Sequence, residues 1–280
     1  MKTNKVIFDG FDALEIITPL AKMVLVYGCG PRIAYFGTEE ANFFYWDKDA
    51  VKNKDWRLRG GHRVWLTRPM ADESVDAYMA DNGSCDLKIE GNIITATSPP
   101  NDIFSISRGM RIEVLSDNVF KVVNFVKNEG TLIYSGGVWS PTCLDPKGKK
   151  VIIPLGEDTT WDIVKIVIPR KFSGGTVLLN DPQITMSEEA MTIIPKGIMS
   201  KRCVKAPQGK ISAIWEEKSL SFTKYSAYIP NGNYPLDGCN VAVFVGLDNW
   251  MLELETFGIE QPIIPGQTVF NEEKWELTKI

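Results

Sequence analysis

Trp250-Met251-Leu252-Glu253-Leu254-Glu255-Thr256-Phe257-Gly258 alternates acidic and apolar residues within a region whose neighbours all read as β-strand. Successive strand side chains point to opposite faces, so Glu253 and Glu255 share one face while Leu252 and Leu254 share the other. Two carboxylates on one strand face, about 7 Å apart at Cα, repel each other. That repulsion tends to raise one pKa toward the range of a useful proton acceptor. On residue types alone two readings stand: a working site, or the solvated face of a half-exposed antiparallel strand.

Outward from this stretch, strand follows strand. Leu14-Glu15-Ile16-Ile17, Met23–Tyr27, Arg32–Gly37 and Asn42–Trp46 open the chain. Asp86–Ile89 and Ile93–Thr97 form a hairpin across Glu90-Gly91-Asn92, and Met110–Leu115 pairs with Val119–Val126 across Ser116-Asp117-Asn118. β-formers recur in Val151–Pro154, Ile163–Ile168, Ile211–Glu216, Ser219–Tyr228, Val241–Val245, Met251–Thr256 and Lys274–Leu277, at the spacing of a meander. Asn82-Gly83-Ser84 reads as a turn, since Asn-Gly is a strong hairpin signal. Helical periodicity is confined to two short candidates, Asp72–Ala80 and Ser187–Ile194, the latter with Ser187 as N-cap. With no strand-helix-strand alternation, the expectation is an all-β chain, one antiparallel sandwich or barrel domain spanning residues 1–280.

Composition narrows the function classes. The 280 residues are 44% hydrophobic, enough for a sizeable core, and the net charge of −4 with scattered Lys and Arg argues against a phosphate-tracking nucleic-acid surface. No apolar run approaches the ~20 residues of a membrane helix. The apolar segment after Met1–Lys5 breaks off too soon for a secretory signal, so the expectation is a cytoplasmic protein with neither nucleic-acid nor membrane partner. Cys29, Cys85, Cys143, Cys203 and Cys239 are odd in number and far apart, which suggests neither a disulfide framework nor a metal site. Gly28-Cys29-Gly30 fails as a dinucleotide loop because Ile33 stands at the third glycine position and no helix pattern follows. His62, the single histidine, has no partner with a nucleophile signature. Neither a cofactor nor a metal is expected.

A second segment carries chemistry: Arg59-Gly60-Gly61-His62-Arg63-Val64-Trp65-Leu66-Thr67-Arg68-Pro69. Paired glycines permit a tight bend or a close approach of backbone, and an imidazole, a guanidinium and an indole follow. Directional donors beside a flat aromatic face suit a sugar. The other reading is a glycine hairpin with solvated arginines and Trp65 in the core.

In their order along the chain these segments resemble the galactose mutarotase-like (aldose 1-epimerase-like) family, in particular a bacterial branch of it. Gly30-Pro31-Arg32-Ile33, Phe36-Gly37 and Asn42–Trp46 are similar to its opening Gly-x-Arg-Ile strand and "Asn-Leu-Leu-Trp" segment. Gly60–Leu66 resembles its "Gly-Gly-x-Arg-x-Trp" element, Phe125–Gly130 its strand ending in Asn-x-Gly, and Val138–Thr142 a "Trp-Ser-x-Thr" strand. Leu252–Gly258, Ile264-Pro265-Gly266 and Trp275-Glu276-Leu277 resemble its closing hairpin with a Leu-Glu-Thr signature.

The resemblance implies a large antiparallel β-supersandwich with a sugar cleft across one sheet, and a small-molecule sugar or oligosaccharide as partner. It also implies acid–base chemistry: a carboxylate takes the proton of the anomeric hydroxyl, a histidine protonates the ring oxygen, and the opened aldehyde rotates and recloses. Carried onto this chain, Glu255 is the base and His62 the candidate acid. Glu253, Arg63, Trp65, Trp139 and Arg32 are the candidate substrate-binding residues. One departure stands out: active members usually carry a second histidine on a central strand, and Val138–Thr142 has none. An epimerase, a non-catalytic sugar binder and a structural or assembly module with an empty cleft all remain open. For a phosphorylated sugar, Arg32, Arg59, Arg63, Lys201 and Arg202 are the cations available to converge.

Overall fold

In a computed structural model, residues 1–51, 59–69, 81–100, 104–156, 165–171 and 177–280 are described. Among them, two large antiparallel sheets face each other. The first, of eleven strands, begins as a meander of Lys2–Phe8, Phe11–Ile17, Lys22–Val26 and Arg32–Gly37. It continues through Gly61–His62, Val138–Leu144, Leu252–Phe257, Val241–Val245, Ser200–Val204 and Val167–Arg170, with Trp65–Leu66 also pairing to Val138–Leu144. The second, of ten strands, runs Ile184–Met186, Ala190–Ile193, Lys149–Pro154, Lys210–Trp215, Leu220–Ser226, Thr268–Lys279, Val119–Asn128, Ile106–Val114, Ile93–Thr97 and Asp86–Glu90. The meander thus describes the first four strands, while the centre of the first sheet is assembled from strands remote in sequence.

Alternation explains the packing. Leu252, Leu254 and Leu144 point between the sheets into a core shared with Phe36, Phe44, Phe120, Phe222 and Trp275. The Phe36 ring lies 5.0 Å from Phe222 and 5.3 Å from Trp275. Each such buried side chain contributes about 1.5–3 kcal/mol of transfer free energy.

One local expectation needs correction. Ser187–Ile194 is not a helix but the turn and second strand of a hairpin, Ile184–Met186 against Ala190–Ile193. Met191 and Ile193 are buried while Thr192 between them is partly open, a period of two. Ser187 caps the turn instead, its Oγ accepting from the Ala190 amide at 3.0 Å. Asn82-Gly83-Ser84 bends at Gly83 and leads into Asp86–Glu90, with Asn82 Oδ1 accepting from Arg32 Nη2 at 3.3 Å; residues 70–80, on which a hairpin would depend, lie outside the described ones. The candidate helix Asp72–Ala80 lies outside the described residues, as does the start of the expected strand Ile163–Ile168.

The glycine pair of the second segment has a steric cause. Gly60 and Gly61 adopt φ of +92° and +71°, and a Cβ would sit 2.3 Å from the Tyr45 carbonyl oxygen at Gly60 and 2.5 Å from that of Ile33 at Gly61. The chain can bend this closely only without side chains. From the bend onward residues alternate: Val64 and Leu66 enter the core between the sheets, and Trp65 enters a second apolar cluster on the far side of the first sheet with Trp139, Phe244 and Phe257.

Candidate functional site

The strands Val138–Leu144 and Leu252–Phe257 carry polar side chains on both faces. Register sets the outer face: Trp139 lies opposite Phe257, Pro141 opposite Glu255 and Cys143 opposite Glu253. On the other side, Phe244 lies opposite Glu253 and Lys201 opposite Phe244. Directly opposed residues share a face, so Trp139, Glu253, Glu255, Phe257 and Lys201 form one surface.

Each glutamate there has its own cation. Arg63 Nη2 stands 3.3 Å from Glu253 Oε1, with its guanidinium carbon 3.8 Å from the Trp65 ring centroid. Lys201 Nζ stands 3.2 Å from Glu255 Oε2 and 5.0 Å from the Trp139 ring centroid. Trp139 Nε1 donates to that same carboxylate oxygen at 2.8 Å, and the Cys143 thiol donates to Glu253 Oε1 at 3.2 Å. Burial, with the Glu253 carboxylate adding to it, holds the Cys143 thiol protonated well above its usual range. The repulsion expected between the two acids is therefore countered by paired charge. Glu255 is fully buried and Glu253 nearly so.

Beside them lies a second group of cations. Arg32 Nη2 meets Asp81 Oδ1 at 2.5 Å, and Trp65 Nε1 donates to Asp81 Oδ2 at 3.1 Å. Burial pushes the Asp81 carboxyl up, and Arg32, Arg63 and Arg108 together outweigh it, so the acid sits below its usual range. Several buried guanidinium donors remain unmatched among the described residues: Arg63 Nε and Nη1, Arg108 Nε and Nη2, Arg59 Nε and Nη1, and Arg32 Nε. A buried donor without an acceptor costs about 1–3 kcal/mol. On the same side, a cavity of about 440 Å³ is lined by residues including Pro69, Arg170, Tyr234, Leu236, Asp237 and Glu260. Arg170 is the register partner of Lys201, and Tyr234 packs in the apolar cluster of Trp65 and Trp139.

The inner face of the same strands is built differently. His62 lies on it, its Nδ1 2.8 Å from Thr142 Oγ1, its Nε2 2.9 Å from Asn124 Oδ1, and its ring edge-on to Trp275 at 4.7 Å. Lys224 Nζ reaches Glu273 Oε1 at 2.9 Å, Thr142 Oγ1 at 2.8 Å and the Ser140 carbonyl at 3.0 Å. Glu273 Oε2 accepts from Trp275 Nε1 at 2.8 Å and Asn124 Nδ2 at 3.2 Å, and Thr256 Oγ1 donates to Oε1. Burial drives the His62 pKa down to about 3 despite the nearby Glu273 carboxylate, so the ring is neutral. Burial lowers Lys224 as well; for Glu273 it acts upward, but the Lys224 ammonium, helped by the Thr256 hydrogen bond, prevails and holds the acid below its usual range.

The predicted residues therefore separate. Glu253, Glu255, Arg63, Trp65 and Trp139 come together on the outer face; His62, adjacent to Arg63 in an extended segment, faces the opposite way. The structure places it away from Glu255, with the sheet between them, and burial keeps its ring neutral near pH 7. Arg32 joins the outer group but is tied to Asp81 and to the Gly60 carbonyl at 3.3 Å. The cations considered for a phosphate do not all converge, for Arg202 faces the other side of its strand with Asp181 at 3.5 Å, and Arg59 lies 4.6 Å over the Phe11 ring. Asp81, Arg108 and Cys143 had no functional reading from sequence. Nor was Lys201 tied to Glu255, although strand parity within Ser200–Val204 places it on one face with Cys203.

No family model and no curated protein matches this chain by sequence. Solved structures do match in fold. A putative aldose 1-epimerase from Escherichia coli K12 superposes with a TM-score of 0.64 at 10% identity, covering 93% of this chain and 96% of that one. A putative mutarotase from Salmonella typhimurium gives 0.64 at 12% identity over 99% and 94% of the two chains. A galactose mutarotase-like protein from Lactobacillus casei gives 0.63 at 11% identity over 95% and 100%. The chain has the galactose mutarotase-like supersandwich fold, as the sequence motifs implied.

Proposed function

We propose that this protein binds a small sugar against the outer face of Val138–Leu144 and Leu252–Phe257 and interconverts its anomers. The observation that carries the reading is the buried cluster of Glu253, Glu255, Arg63, Lys201 and Trp139, in which Arg63 Nε and Nη1 have no acceptor among the described residues. A buried donor set of this kind is completed by a ligand rich in hydroxyl oxygens. Trp139 and Trp65, ring centroids 5.1 Å apart and edge to face, give it an apolar wall. The neighbouring cavity of about 440 Å³ falls in the size range of ligand pockets, about 300–1,000 Å³. Fold likeness supports the substrate class only by analogy, since chemistry belongs to the site.

In this reading Glu255 is the base. It takes the proton of the anomeric hydroxyl, and Trp139 Nε1 holds the carboxylate oriented for the transfer. Glu253, steadied by Arg63 and Cys143, binds a second hydroxyl. The test is polarimetry on freshly dissolved α-D-glucose and α-D-galactose. Wild-type protein is expected to accelerate mutarotation above buffer, and Glu255→Gln to lose at least about 100-fold in kcat. An unaffected Glu255→Gln would remove Glu255 from the chemistry. A second reading, a sugar binder without turnover, is favoured by one observation, the seclusion of the only histidine on the inner face. It predicts calorimetric binding with no change in mutarotation rate.

A further inference from the structure

With His62 behind the sheet, an anomer-exchanging site at Glu255 needs another source for the proton that the ring oxygen takes up. We propose that Lys201 is that proton donor; the inference rests on the epimerase reading above. Among the described residues, three groups other than Lys201 make the contacts given above to the two glutamates, and each is unsuited. Arg63 is engaged with Glu253 at 3.3 Å, and guanidinium groups do not serve as proton donors in proteins. The Cys143 thiol is held protonated by burial and already donates to Glu253. The Trp139 indole N–H donates to Glu255 and does not ionise in this range. Lys201 is a buried ammonium 3.2 Å from Glu255 Oε2, and lysine, unlike arginine, exchanges its proton when held in a dry site.

The pair also balances the step. Glu255 removes the anomeric hydroxyl proton, the freed electron pair forms the C1 carbonyl, and the bond from C1 to the ring oxygen breaks. The departing electron pair stays on the ring oxygen, which takes a proton from Lys201. The zwitterion of carboxylate and ammonium becomes a neutral acid and amine, so no net charge is created in this buried pair. Rotation about C1–C2 and ring closure return both protons to their origins.

The experiment compares wild type, Lys201→Arg and Lys201→Met by polarimetry on α-D-glucose and α-D-galactose across pH, with thermal melting of each as the folding control. Arginine preserves the charge facing Glu255 and cannot release a proton; it therefore keeps the variant folded should methionine fail to. The expected result is wild-type turnover with an alkaline limb, and a loss of at least about 100-fold in kcat for Lys201→Arg with KM within a few-fold. Full kcat in Lys201→Arg, alkaline limb included, would show that Lys201 only neutralises Glu255 and would overturn the inference while leaving the epimerase reading intact. No acceleration by folded wild type would overturn both.

Discussion

The two faces of one strand pair, Val138–Leu144 and Leu252–Phe257, carry buried polar clusters of similar size and opposite character. On the inner face Lys224, Glu273, His62, Asn124 and Thr142 satisfy one another across the two sheets. On the outer face the acids are also paired, yet Arg63 and, beside it, Arg108 keep donors without acceptors among the described residues. The difference teaches how to separate glue from site in a buried charge cluster: bonds complete within the protein indicate structure, and donors left over indicate a missing ligand.

Variants on the inner face should break stability and spare function. The largest effect is expected from Glu273→Gln, which leaves the Lys224 ammonium buried without its counter-ion. A loss of about 3–5 kcal/mol, read as a lower urea midpoint, is expected, with turnover of the folded fraction within a few-fold of wild type. A collapse of turnover without loss of stability would merge the two faces into one functional unit.

Acid sharpens the same contrast. An unfolded histidine takes up its proton near 6.5, whereas buried His62 resists until about 3. Between those values the unfolded chain holds the extra proton, so falling pH should erode stability by up to about 1.4 kcal/mol per pH unit from this residue alone. Chemical denaturation at pH 7, 6 and 5 measures it, and His62→Gln should flatten the slope over that window. An identical slope in the variant would contradict the buried neutral ring.

On the outer face the smallest change is Trp139→Phe, which removes the indole donor to Glu255 and keeps an aromatic ring. Stability should fall by about 1 kcal/mol. If that bond also orients the base, kcat should fall about fivefold, the rate equivalent of the same energy. An unchanged kcat would mean that the Trp139 bond does not orient Glu255.

Much of this was legible from alternation. Leu252 and Leu254 against Glu253 and Glu255 placed the acids on one face, and the structure keeps that division. The same rule, applied to His62 and Arg63, separates them as neighbours in an extended segment, and it outranks the chemical appeal of putting both beside a sugar. The inner network was not legible, because its members come from strands that meet only across the sandwich. Within Thr268–Lys279, Phe270 is well exposed while Glu273 is fully buried, the reverse of what residue type suggests. Only the parity of Glu273 with Trp275 and Leu277, both core residues, hints at it. Pairing of Glu255 with Lys201 was hidden for a similar reason, since Ser200–Val204 reaches it across the intervening strand Val241–Val245.

The most direct measurement is a crystal structure of the protein soaked in D-galactose or D-glucose at high concentration. The account predicts a single pyranose with hydroxyls within hydrogen-bond distance of Arg63 Nε or Nη1 and of Glu255. A sugar bound only elsewhere on the molecule, with the Arg63 donors still unmatched, would contradict it.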